Sequence, residues 1–339
     1  MAALLNPGLS NSGWTKPSTI LFATEVPPNE KAFSFALAQA HEFGSQLILF
    51  HAYDTLVVTA SDPSGIRYYD SAAAARLEKE HLEPLATRVR EMGLNCEVVV
   101  RSGLPADEIL AFTRERHIDR IVMGTHSPGP IGKLLVGSVA EAVLRTATVP
   151  VFIIGPEVVD GAYRNFVTRT ILCAVSLHEA STVVAAFAAE LAAQHSARLI
   201  LEHVITPQDR AGFDRAGFDR AGFDHADLLA GRPLDELEGG MLALVPRQLQ
   251  GQIDVQTIVV PGDPTEELLY QSRTQQADLI VMGAQGASAF AAITRHGVVY
   301  KTLAHAQCPV ITLSPVVLEQ CGSKAEHLQP AEAYMAGVF

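Results

Sequence analysis

The chain of 339 residues contains the same pattern twice. The run DRIVMG at 119–124 returns as DLIVMG at 278–283, and VPVFII at 149–154 returns as CPVITL at 308–313. A repeat this long is typical of a duplicated domain and not of a short solenoid unit. The sequence therefore predicts two copies of one fold, which we call the first half and the second half.

Each half alternates short apolar runs with segments of helical period. The predicted strands are 19–24, 46–52, 96–100, 120–123 and 149–154 in the first half, and 170–175, 198–204, 253–260, 278–282 and 309–313 in the second. These runs are apolar throughout, which is typical of parallel strands covered on both faces. We expect an α/β protein of two tandem Rossmann-like domains, each with a five-stranded parallel sheet flanked by helices.

Composition shifts and breaks in the pattern set the expected domain boundaries. The expected segments are a leader at 1–16, domain one at 17–156, a linker at 157–168, domain two at 169–315 and a tail without helix or strand signals at 316–339. Domain two carries a loop at 210–226 in which RAGFD occurs three times in succession. The preferred interpretation is an expansion in a tolerant surface loop, and the alternative is a lid or docking loop that presents phenylalanines.

The formal net charge of −12 argues against binding to nucleic acids or to anionic membranes. The amino terminus lacks the pattern of a signal peptide, and no apolar run is long enough to span a bilayer. The four cysteines form no CxxC pair, which favours buried, reduced thiols. These features predict a cytoplasmic protein.

The loop GTHSPGPIGKLLVGS at 124–138 is the strongest candidate for a binding site. It leaves an apolar strand and enters a helix, and parallel sheets bind ligands beyond the carboxyl ends of their strands. Small residues let backbone N–H groups approach a phosphate, and the start of a helix adds partial positive charge. The alternative is that the glycines only form tight turns. The spacing does not match a Walker P-loop.

The conjunction of these motifs resembles the universal stress protein family in its tandem form. The resemblance rests on the IVMG strand, on Gly137-Ser138 followed by VAEAVL at 139–144, and on the final strand VPVFII. It implies an adenine nucleotide alpha hydrolase-like fold, binding of adenine nucleotides in many members, and pairing through the last strand.

The resemblance assigns site residues in both halves. For the first half they are Glu25, Ala52, Met123, Gly124, His126, Ser127, Gly129, Gly137, Ser138 and Val139. Ser127 stands where the family has a second glycine, and Gly129 lies close enough to compensate. For the second half they are Val204, Gly283, Gly286, His296 and Gly297, while the family's acid falls on Ser176. The implied ligand is ATP with Mg²⁺ in the first half. The second half is expected to bind weakly or not at all, unless His296 supplies a donor.

No triad, Cys-His pair or carboxylate pair is supported by spacing alone, so we expect no enzyme, or at most slow ATP hydrolysis. The alternative function is a stress scaffold that binds no nucleotide and acts through dimerisation and partner contacts. His51 and His203 recur at matching strand ends and are predicted to be satisfied, partly buried side chains. The final strands are predicted to pair within the chain as a pseudo-dimer, and a homodimer is the further assembly considered.

Overall fold

The computed structural model describes residues 14–54, 71–125, 136–159, 167–176, 180–206, 233–284 and 297–325. In the first half these residues form β1 (Thr19–Ala23), α1 (Glu30–Phe43), β2 (Gln46–Tyr53), α2 (Ser71–Glu91), β3 (Cys96–Ser102), α3 (Pro105–Glu115), β4 (Arg120–Gly124), α4 (Ser138–Thr146) and β5 (Val151–Ile154). In the second half they form β6 (Thr170–Ala174), α5 (Ala180–His195), β7 (Arg198–Ile205), α6 (Pro233–Ala243), β8 (Val255–Pro261), α7 (Pro264–Thr274), β9 (Leu279–Gly283), α8 (Val298–His305), β10 (Val310–Leu313) and α9 (Pro315–Ala325).

Within the described residues the strands make one sheet of ten, in the order β3-β2-β1-β4-β5-β10-β9-β6-β7-β8. The five strands of each half are parallel to one another, as the sequence predicts. The two halves meet at β5 and β10, which pair antiparallel with Phe152 opposite Ile311. This junction uses the final strands that the repeat pattern points to, and it leaves neither of those strand edges open.

Helices cover both faces of the sheet because its strands are apolar on both sides. One face packs against α1, α2, α5, α6 and α9, and the other against α3, α4, α7 and α8. Helix α5 is apolar around most of its circumference and almost entirely buried, as expected for a helix covered by neighbours on several sides. Its neighbours include α9.

The helix ends follow local sequence signals. Asn29 caps α1 by accepting a hydrogen bond from the backbone N–H of Ala32, and Gly44 ends that helix with a φ of 65°. Asp263 caps α7 by accepting from Thr265 and Glu266. These caps fix where the chain turns between helix and sheet in each half.

The expectation of an irregular tail at 316–339 is wrong for residues 316–325, which belong to α9. Ser314 caps this helix by accepting from the N–H of Val317, and Pro315 occupies its first position. Val317, Leu318 and Cys321 are buried against the second half. The cap and the proline were visible in the sequence, and burial of one apolar side supplies the remaining stabilisation. The helical pattern of the second half predicts a helix over about 234–250, but helix α6 ends at Ala243.

Residues at the end of the predicted leader are also part of the fold. Trp14 and Thr15 are buried, and their carbonyl oxygens accept hydrogen bonds from the guanidinium of Arg120 at 2.7 and 3.2 Å. Arg120 is fully buried in β4, also donates to the side chain of Gln39 and lies over the ring of Phe152 at 4.6 Å. Burial lowers the pKa of Arg120 to about 9, so it remains charged at neutral pH.

The cysteines agree with the prediction of reduced thiols. All four are free, and three of them are buried. Burial raises the pKa of the Cys308 thiol to about 12 and that of the Cys96 thiol to about 11, which disfavours the reactive thiolate. No helix in the described ranges combines the length and the apolar character needed to cross a membrane.

Candidate functional site

The strand order of the first half creates a crevice at the carboxyl edge of its sheet. From β1 the chain proceeds outward through β2 to β3, and it then returns to β4 and β5 on the opposite side of β1. The order therefore reverses between β1 and β4, the position where open α/β sheets bind ligands. Sequence alone predicts the strands, but this position depends on their order.

Several predicted site residues lie along this edge. Ala52 is near the end of β2, Glu25 follows β1, and Met123 and Gly124 end β4. The pairing of Ala23 with Met123 aligns the ends of β1 and β4. Ala52 and Met123 are buried in one apolar cluster that also contains Val136, whereas Glu25 is half-buried. The edge thus offers apolar surface next to a carboxyl group.

Gly124 has a packing role of its own. A methyl carbon added to Gly124 would lie 2.6 Å from Nδ2 of Asn29, the residue that caps α1. In the second half, the same addition to Gly283 would lie 3.0 Å from Val184 and 3.3 Å from Leu318. The recurrence of this glycine in both halves therefore has a structural reason independent of any ligand.

Thr125 is a residue of this edge that the sequence reading missed. It is buried, its N–H donates to the carbonyl oxygen of Ile154, and its hydroxyl has no hydrogen-bond partner among the described residues. A buried hydroxyl without a partner is costly unless something outside the described protein atoms satisfies it. The equivalent residue of the second half is Ala284.

Helix α4 begins beside this edge, and within the described part of the chain no group accepts a hydrogen bond from its first backbone N–H groups. Its N-cap residue, Gly137, has no side chain that could cap the helix, in contrast to Asn29 of α1 and Asp263 of α7. The N–H groups of the first turn, which includes Ser138 and Val139, have no partner inside the helix. Gly137 and Val139 are half-buried, and Ser138 is exposed. Such a helix start can bind an anion through its N–H groups.

Five of the predicted site residues lie outside the part of the chain that the structure describes. They are His126, Ser127 and Gly129 of the first half, and Gly286 and His296 of the second half. The repeated RAGFD segment lies outside the described part as well.

The two repeated histidines are satisfied in the way that the sequence predicts. The ring of His51 donates from Nδ1 to the carbonyl oxygen of Thr24 at 2.9 Å, and that of His203 donates to Val175 at 3.0 Å. The Nε2 atom of His51 lies 4.0 Å from a carboxylate oxygen of Glu78. Among the described residues, no group of three His, Cys, Asp or Glu side chains could hold a metal ion.

The second half has an edge of the same shape with different chemistry. Val204 and Gly283 are half-buried at the ends of β7 and β9, and Gly297 is the N-cap residue of α8, again without a side-chain cap. Two hydroxyl groups of the first half are missing at the equivalent positions, because Ser138 corresponds to Gly297 and Thr125 to Ala284. The carboxyl group of Glu25 is missing as well, because the equivalent residue is Ser176. The second edge therefore has fewer groups that could hold a phosphate or a cation.

Glu202 is a second residue that the sequence reading missed. It lies in β7, two positions before Val204, and is only 2% exposed. Neither carboxyl oxygen has a hydrogen-bond partner among the described residues. Burial, and then the negative charge of Glu267, raise the pKa of Glu202 to about 8, so its neutral form predominates at pH 7. In the first half the equivalent residue is Phe50, whose ring centroid lies 5.0 Å from that of Phe112.

Fold and edge together define a tandem, doubly wound α/β protein with a helix start at the crevice of its first half. The family model described as "Universal stress protein family" matches residues 17–155 and 168–314. The chain belongs to the universal stress protein family.

Individual relatives agree with this assignment. The universal stress protein YxiE of Bacillus subtilis is 30% identical over 131 residues, which cover 37% of this chain and 88% of the relative. The crystal structure of a universal stress protein from Archaeoglobus fulgidus superposes with a TM-score of 0.63 at 19% identity, covering 89% of this chain and 97% of that one, and so shares the fold. A further match is a universal stress protein in complex with cAMP, with a TM-score of 0.30, 21% identity, and coverage of 43% of this chain and 95% of that one.

Proposed function

We propose that the first half binds an adenine nucleotide at the carboxyl edge of its sheet and that the protein acts in stress response or signalling. The observation that carries the proposal is the presence of two features near the reversal of strand order: the start of α4 at Gly137, which has no side chain to cap it, and the hydroxyl of Thr125, which has no hydrogen-bond partner among the described residues. The chain also belongs to a family whose motifs imply this ligand.

Each part of the edge suits one part of the nucleotide. The N–H groups of the first turn of α4 and the hydroxyl of Ser138 would receive the phosphates. Ala52 and Met123 offer apolar surface to the base, since nucleotide bases bury flat apolar faces. Glu25 offers carboxylate oxygens to a ribose hydroxyl or to Mg²⁺, which binds through few protein ligands when substrate phosphates complete its shell.

We expect one nucleotide per chain, because the second edge lacks the groups that correspond to Glu25, Thr125 and Ser138. His296 is the one residue of the second loop proposed to offer a donor in their place. Any turnover is expected to be slow, since the spacing of the sequence supports no triad, Cys-His pair or carboxylate pair. The free cysteines are consistent with a cytoplasmic site of action.

Replacing Gly137 by valine should weaken ATP binding at least about tenfold. The branched side chain at the N-cap would keep the phosphates away from the N–H groups of the first turn of α4, so hydrogen bonds from those donors would be lost. Isothermal titration with ATP and Mg²⁺ measures the effect. The matched control is Gly297→Val, which makes the same change at the N-cap of α8 and should leave the affinity unchanged. Equal losses in both variants would place the site elsewhere.

A second candidate is a scaffold that binds no nucleotide. The lack of room for a side chain at Gly124, beside Asn29, favours it, because this packing accounts for a repeated glycine without a ligand. In that case the pairing of β5 with β10 would be the feature that the protein retains. Because these two strands already pair within the chain, a homodimer would need another surface. Absence of nucleotide from freshly purified protein, together with no heat on titration with ATP, ADP, AMP or cAMP, would favour the scaffold.

A further inference from the structure

A tyrosine of the second half contacts the backbone that leads into the candidate site of the first half. Tyr300 lies in the first turn of α8 and is buried, and its hydroxyl oxygen accepts a hydrogen bond from the N–H of Val136 at 3.0 Å. The two residues are 164 positions apart in the chain. This bond joins the halves in addition to the backbone pairing of β5 with β10.

The position of Val136 makes this bond relevant to the site. Val136 immediately precedes Gly137, the N-cap residue of α4, and its side chain is buried in the same apolar cluster as Ala52 and Met123. A buried hydrogen bond to its N–H therefore fixes the backbone just before the uncapped donors of Ser138 and Val139. Fixing a backbone segment before a ligand arrives removes part of the entropy cost of binding.

The first half has no tyrosine at the position equivalent to Tyr300, so it cannot make the same bond to the second half. Aligning the halves on DRIVMG and DLIVMG places Glu141 of α4 opposite Tyr300 of α8. Glu141 accepts a hydrogen bond at 2.7 Å from Arg145 on its own helix. The tyrosine thus occurs on the half with fewer phosphate-binding groups and contacts the half that retains them.

We propose that Tyr300 is a positioning residue that the second half supplies to the phosphate end of the nucleotide site in the first half. This inference rests on the proposed function and extends it, because it makes the site incomplete without the second half. The groups that Tyr300 orients are the backbone N–H groups of Ser138 and Val139, which would face the phosphates and not the base. Loss of the tyrosine hydroxyl should therefore lower the affinity for a ligand that has phosphates more than the affinity for one that has none.

The test compares two ligands on the full chain. Tyr300→Phe keeps the ring and removes the acceptor, so ATP affinity should fall about five- to tenfold, as for one lost hydrogen bond. The affinity for adenosine, which lacks phosphates, should stay within about twofold. Tyr270→Phe is the matched control, because Tyr270 is 55% exposed on α7 and should change neither affinity. Titration calorimetry with ATP and with adenosine gives all the values.

The outcomes separate this inference from the proposed function. If the wild-type chain does not bind ATP, the proposed function fails and the role of Tyr300 at the site fails with it. If the wild type binds ATP and Tyr300→Phe binds it equally well, only the role of Tyr300 is overturned. Equal losses for ATP and adenosine would show a general structural effect and would also overturn it. A loss confined to ATP supports it.

Discussion

Replacing Glu202 by glutamine is expected to raise the stability of the variant relative to the wild type by about 4 kcal/mol between pH 5 and pH 9. The reason is the raised pKa of about 8, which follows from burial of a carboxyl group without a hydrogen-bond partner among the described residues. Glutamine has the same shape and never ionises, so it avoids the buried charge. The cost of its own unpaired amide does not vary with pH, so it lowers the stability of the variant equally at pH 5 and at pH 9.

The sign follows from proton binding in the two states. In the unfolded chain a glutamate has a pKa of about 4.3, whereas Glu202 in the folded protein keeps its proton up to about pH 8. Between these values the folded state binds more protons, so the free energy of unfolding falls as pH rises. Above about pH 8 both states are ionised and the full penalty, on the order of 5 kcal/mol, remains.

Chemical denaturation at several pH values from 5 to 9 measures the difference between Glu202→Gln and the wild type. Glu266→Gln is the control, because Glu266 is an exposed glutamate of α7 and its loss should leave stability unchanged across that range. A difference between Glu202→Gln and the wild type that stays constant with pH would contradict the expectation. It would show that Glu202 is ionised in the folded state throughout.

The sequence predicted the architecture well because the fold depends on patterns that act over short distances. Apolar runs such as LILFHA and LILEHV become buried strands whichever helix covers them. The duplication then predicted a common fold for both halves and a junction through the final strands. The helix at 315–325 was missed because its Ser-Pro start was not weighed against the apolar residues that follow.

The chemically distinctive residues were harder to find because their roles depend on contacts made across the fold. Glu202 stands inside an apolar run, and its isolation follows from what covers β7. Arg120 is charged yet fully buried, because Gln39 and the carbonyl oxygens of residues 14 and 15 receive its donors. Aligning the halves gives one usable signal, since Glu202 falls on Phe50 and Tyr300 on Glu141. The partner of Tyr300 could be found only in the folded chain.

Replacing Gly155 by alanine is expected to lower the free energy of unfolding by about 3 kcal/mol, because there is no room for a methyl group where the halves meet. Gly155 directly follows β5, and a Cβ atom there would overlap the carbonyl oxygen of Leu303 in α8. That oxygen belongs to the backbone of a packed helix, so relief requires α8 or β5 to move. Such a movement would also strain the pairing of β5 with β10.

Gly239→Ala is the matched control for this substitution. Gly239 lies in α6, where an added Cβ atom meets no atom within 4 Å, so alanine should stabilise the helix by about 0.5–1 kcal/mol. The same chemical change is thus expected to have opposite signs at the two sites, as measured by denaturant unfolding. A neutral or stabilising Gly155→Ala would mean that the halves can separate slightly at no cost. The junction would then be an adjustable contact and not a fixed continuation of one sheet.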